Sequence, residues 1–149
     1  MAMTFNRLRV TDKHGHELEI LFRKLMDPLP FGWKAGWHWA VEAYEAGLEQ
    51  PPIGFCWVYA AGRQMLAARR RYTPAPLVEY VRVCHTYERN GVATALLDAA
   101  RKRWPNLELT PAATPHGEAF LAAYLAHAEQ DGDDGREFVR RFREYEVRY

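Results

Sequence analysis

Residues 79–104, EYVRVCHTYERNGVATALLDAARKRW, pass from β-branched residues in near alternation, through a polar knot around one glycine, into an apolar stripe at helical spacing. With the residues just upstream, LVEYVRV is apolar almost throughout except at Glu79 and Arg82, the pattern of a central strand covered on both faces. Ala93, Leu96, Leu97, Ala100 and Trp104 then form the buried stripe of a helix, with Thr94, Asp98, Arg101 and Lys102 on its other side. Between strand and helix, Gly91 lets a backbone approach closely. The amides of residues 89–94 point outward at the positive end of the helix dipole, which suits a phosphate. The plain alternative is a glycine that only permits the turn.

Outward from this unit, periodicity places the other elements. Residues 5–10 and 17–24 flank TDKHGH and read as a hairpin turning at Gly15. Trp37, Val41, Tyr44 and Leu48 recur at steps of three and four, which predicts an amphipathic helix over 37–48. IGFCWVYA and RQMLAARRRY meet at Ala61-Gly62 as a second hairpin, and PLVEYVRV follows, so these three runs read as adjacent antiparallel strands. LELT is a short strand after the helix at 91–104. Thr114 as N-cap and Pro115 at the first helical position open another helix, with Phe120, Leu121, Tyr124 and Leu125 on one face. DGDDG breaks that helix, and the end of the chain, FVRRFREYEVRY, fits a helix and a strand equally well. Antiparallel hairpins followed by a late β-α-β-α unit give an α+β fold, a mixed and mostly antiparallel central sheet flanked by helices.

Composition narrows the partners. The chain has 149 residues, 48% hydrophobic and 26% charged, with a formal net charge of +1. That length fits one domain, 1–149, with a core of its own. The charge balance offers no global field for nucleic acid or an anionic membrane. No stretch of about eighteen apolar residues occurs, and the N-terminus has no apolar run of the secretory kind, so a cytoplasmic location is the expectation. Cys56 and Cys84 both lie in strand-like segments and read as small core residues. The histidines show no metal spacing with cysteine or carboxylate, so no metal is expected. Neither a G-x-x-x-x-G-K-[ST] loop nor a G-x-G-x-x-G fingerprint is present.

ERNGVA, Glu88 to Ala93, resembles the acyl-CoA loop Q/R-x-x-G-x-G/A of the GNAT (GCN5-related) N-acetyltransferases. Gly91 stands in the glycine position and Ala93 in the Gly/Ala position, while Glu88 departs from the Gln or Arg of the motif. The order of elements over residues 53–125 is also similar to the family's. The resemblance implies a GNAT-like fold, acetyl-CoA as acyl donor, and direct transfer of the acetyl group to a primary amine of a small molecule or peptide.

Carried over residue by residue, the resemblance implies that backbone groups along the strand, at Val81 and Val83, pair with the pantetheine arm. The amides of Arg89, Asn90, Gly91, Val92, Ala93 and Thr94 would hold the pyrophosphate. Glu88 would face solvent, with Arg89 as the nearby cation. Glu79 is the candidate base, strict alternation placing it on the side of Val81 and Val83, with an ion pair to Arg69 or Arg71 as its other use. Tyr124 is the candidate acid for the leaving thiolate, with a place in the core as its other use. His85 and Tyr87 are further proton carriers, and the tryptophans at 33, 37 and 39 are candidate walls of the acceptor pocket. The rival to an enzyme is a catalytically degenerate relative that binds acyl-CoA or a protein partner without turnover. Edge strands and the aromatic end leave room for a homodimer, whereas the three acids in the basic tail argue against nucleic acid.

Overall fold

The computed structural model describes residues 6–25, 38–47, 51–59, 64–66, 71–73, 76–88, 91–109 and 115–148. Its strands are β1 (Arg7–Thr11), β2 (Glu17–Leu25), β3 (His38–Glu45), β4 (Gly54–Tyr59), β5 (Gln64–Leu66), β6 (Arg71–Thr73), β7 (Leu77–Val83) and β8 (Glu108–Leu109). Its helices are α1 (Val92–Arg103), α2 (Pro115–Glu129) and α3 (Gly132–Arg148). The order across the main sheet is β1-β2-β3-β4-β7-β8, antiparallel throughout except for the parallel pair β7·β8. This is the mixed, mostly antiparallel sheet with flanking helices that the pattern predicts.

The first hairpin forms around Gly15, where Asp12 accepts the amides of His14 and His16 at 2.8 and 2.9 Å and fixes the turn. One face of the sheet, carrying Leu18, Ile20, Phe22, Val41, Ala43, Cys56, Val58 and Val78, meets Leu96, Leu97 and Ala100 of α1, all of them buried. Burial of such side chains stabilises by roughly 1.5–3 kcal/mol each relative to exposure, which makes this layer the main source of fold stability.

Residues 38–45 form a strand, not the predicted helix. Ala40, Val41, Glu42 and Ala43 are all buried in succession, because β3 lies between β2 and β4 with both faces covered. Such a strand loses its alternation, and its apolar residues then mimic helical spacing. The middle antiparallel strand is also corrected. β4 pairs directly with β7, while β5 and β6 pair with each other in a separate two-stranded sheet. The predicted turn at Ala61-Gly62 and the N-cap Thr114 lie outside the described residues, although α2 does begin at Pro115. The chain's end is helical: α3 buries Phe138, Val139 and Phe142 and docks beside α2 and β8. Cys56 is buried as expected, but Cys84 is exposed just beyond β7.

Candidate functional site

The site begins with a mismatch in the ladder between β4 and β7. Trp57 faces Tyr80 and Val58 faces Val78, so Glu79 is an extra residue, a β-bulge. Because of it, Val78 and Val81 stand three apart in sequence yet both oppose core-facing residues, Val58 and Cys56. Alternation counted back from Val81 therefore does not set the side taken by residue 79, which removes that argument for Glu79. Only the backbone of Glu79 is described.

β8 pairs with β7 only at Leu77 and Val78, next to the bulge. Beyond that point, no described strand flanks β7 on that side. The direction of its backbone groups follows from one bond: the Cys84 amide donates to Ile53 O at 2.8 Å, opposite in register. Bonded and non-bonded pairs alternate along an antiparallel ladder, so Arg82 and Tyr80 direct their N–H and C=O groups to β4. Val81 and Val83 direct theirs the other way, toward the edge that β8 leaves. Their side chains meanwhile lie against the core.

That open edge runs into the start of α1. Gly91 has φ +83°, and a Cβ there would stand 3.1 Å from Lys13 Cβ in the turn between β1 and β2. The left-handed backbone favours glycine here, and the contact with Lys13 would be a tight one for any side chain. No side chain caps α1 and no acid lies in its first turn. Its first helical bond is from Ala95 N–H to Gly91 O, at 2.9 Å. The amides of Val92, Ala93 and Thr94 precede it, at the positive end of the dipole. Gly54 lets this helix end approach closely, since a Cβ there would lie 3.1 Å from both Val92 Cγ1 and Arg82 O. Arg89 and Asn90 lie outside the described residues, and Glu88 is exposed. Sequence spacing gave no reason to single out Lys13, which only the folded hairpin brings to Gly91.

Tyr124 sits in the core, the other use that its place on an apolar helix face allows. It is 1% exposed, its hydroxyl donates to Asp98 Oδ1 at 2.8 Å, and Arg101 Nε donates to that hydroxyl at 2.8 Å. Burial, and then the Asp98 charge, push its ionisation well above the ordinary phenol range. Asp98 and Arg101 lie seven and ten residues into the chain after Gly91, roughly 10–15 Å along the helix axis. Tyr87 donates its hydroxyl to Glu45. Trp39 packs against Trp104 at 5.8 Å, with the Arg103 guanidinium 4.5 Å over its ring, at the C-terminal end of α1 and away from Gly91. On the opposite face of the sheet, Phe55, Trp57 and Tyr80 gather with ring centroids 5.7–5.9 Å apart.

No family model and no curated protein matches the chain. Among solved structures, it is similar to a ribosomal-protein-alanine N-acetyltransferase from Brucella melitensis biovar Abortus 2308. Identity is 22% and the TM-score 0.40, and the match spans 60% of this chain and 61% of that one. A likeness at that level carries no argument about activity, so the functional reading stands on the chain's own geometry.

Proposed function

We propose that the chain is an acyl-CoA-dependent N-acetyltransferase, passing an acetyl group from acetyl-CoA directly to a primary amine of a small molecule or peptide. One observation supports this above the others: the parallel pair β7·β8 ends at the Glu79 bulge, and the edge exposed there leads to the uncapped start of α1. An extended amide-bearing arm would pair with the N–H and C=O groups of Val81 and Val83, as a further strand does. Its pyrophosphate would meet the amides at Gly91–Thr94, together with Arg89 and Asn90, and the cation of Lys13.

In this reading the acyl thioester lies beside the bulge, and Glu79 on β7 is the base that takes the proton from the attacking ammonium. The amine nitrogen then bonds to the thioester carbon, the C–S bond breaks, the nitrogen releases its second proton to solvent to leave a neutral amide, and the thiolate takes up a proton. If Tyr124 supplies that proton, its hydroxyl must leave Asp98. A second reading, a degenerate relative that holds acyl-CoA without turnover, is favoured by that committed hydroxyl.

Calorimetry with acetyl-CoA, desulfo-CoA and ATP tests the cradle. Saturable one-site binding of the CoA ligands without ATP is expected, and no binding at millimolar ligand removes the proposal. Glu79→Gln separates the two readings. The expected outcome is a turnover about 10²–10⁴-fold lower with CoA affinity retained, and equal rates across pH would leave Glu79 without a catalytic role.

A further inference from the structure

Asp98 on α1 converges in space with His127 near the end of α2 and Asp131 in the break before α3. One ligating atom from each lies within 4.8 Å of the others. His127 Nε2 is 2.8 Å from Asp98 Oδ2. The remaining oxygens are already oriented. Asp98 Oδ1 accepts from Tyr124 and from Arg101, at 2.8 and 3.0 Å, and Asp131 Oδ2 accepts from Arg101 at 2.8 Å.

We propose that Asp98, His127 and Asp131 form a binding site for a divalent d-block cation, zinc foremost, that clasps α1, α2 and the start of α3 together. The division of oxygens carries the inference. Arg101 and Tyr124 engage one oxygen of each carboxylate, Asp98 Oδ1 and Asp131 Oδ2, while Asp98 Oδ2 stands beside the imidazole, 2.8 Å from His127 Nε2. This is the arrangement by which outer groups fix metal ligands. Arg101 also offsets one of the two carboxylate charges, leaving the set with a net charge of −1 when the imidazole is neutral. One imidazole and two carboxylates suit zinc and its neighbours, whereas magnesium and calcium favour oxygen alone. Three protein ligands leave a position for water, and the side chains of His127 and Asp131 are 44% and 56% exposed, so an ion has a path in. His127 and Asp131 stand four apart, across the end of α2, but only the packing of α2 on α1 adds Asp98.

The rival is that Arg101 is itself the only cation this cluster takes. The site is independent of the acyltransferase reading and is tested without turnover. The full chain, stripped with chelator, is titrated with zinc and with magnesium by calorimetry and followed by thermal melting. The expected result is one-site zinc binding and a melting temperature raised by several degrees at zinc about a hundredfold above Kd, with no response to magnesium. His127→Ala, or His127→Gln if the first variant folds poorly, should weaken zinc binding at least about tenfold and abolish the thermal shift with an unchanged far-UV spectrum. Absence of zinc binding, or equal binding by wild type and a folded His127 variant, overturns the proposal. Equal binding would place the ion elsewhere, for instance at His14 and His16 in the first turn.

Discussion

Gly91 and Tyr124 show how differently two candidate site residues are constrained. Gly91 answers to its backbone, with φ +83° and Lys13 Cβ 3.1 Å from where a Cβ would stand. Gly91→Val should cost about 1–2 kcal/mol in left-handed strain and more where it meets Lys13. It should abolish CoA binding while the far-UV circular dichroism spectrum persists, and undiminished binding would remove the loop from the phosphate site. Tyr124 answers to two partners, since its hydroxyl both donates to Asp98 and accepts from Arg101. Tyr124→Phe should therefore lower stability in urea by about 1–3 kcal/mol, because the buried Arg101 and the partly buried Asp98 each lose a bond. Measured per folded molecule, a fall in turnover at constant CoA affinity would assign the thiolate proton to this hydroxyl. Unchanged turnover would leave Tyr124 as the link between α2 and α1.

At the scale of an element, β7 has two unlike edges. The register makes the Arg82 amide a ladder donor to Phe55 and leaves the Val81 amide directed to the open side. Proline substitution separates them, since it removes one N–H and is tolerated where no ladder bond is lost. Val81→Pro should weaken CoA binding with the sheet retained. Arg82→Pro should destabilise the whole fold by the loss of a central bond, and equal melting temperatures for the two variants would refute the register argument. The Glu79 bulge belongs to this scale as well. It resets which face each following residue takes, and β8 stops pairing beside it.

Across the whole molecule, the two thiols report on how the layers close. Cys56 is fully buried beneath α1, and desolvation pushes its thiol up to about 12 from 9.0. Because the unfolded thiol ionises first, the neutral form favours folding, and that contribution is complete below about pH 9 and is lost as pH rises toward about 12. Cys56→Ala should flatten the alkaline limb of the stability profile in urea melts. In the native protein a thiol reagent should modify the exposed Cys84 and spare Cys56, and labelling of both at neutral pH would contradict the closed core. The hairpin at Gly15, the strand at β7, the helices α1 and α2 and the break near Gly132 were legible in the sequence, because turn glycines, caps and an amphipathic stripe are local signals. The sequence could not distinguish a strand from a helix at 38–45, where burial on both faces erases alternation. Nor could it find the bulge at Glu79, the approach of Lys13 to Gly91, or the meeting of Asp98 with His127 and Asp131. Local chemistry decides where each element begins and ends. Register and packing depend on residues remote along the chain, so only the tertiary structure brings the side chains of a site together.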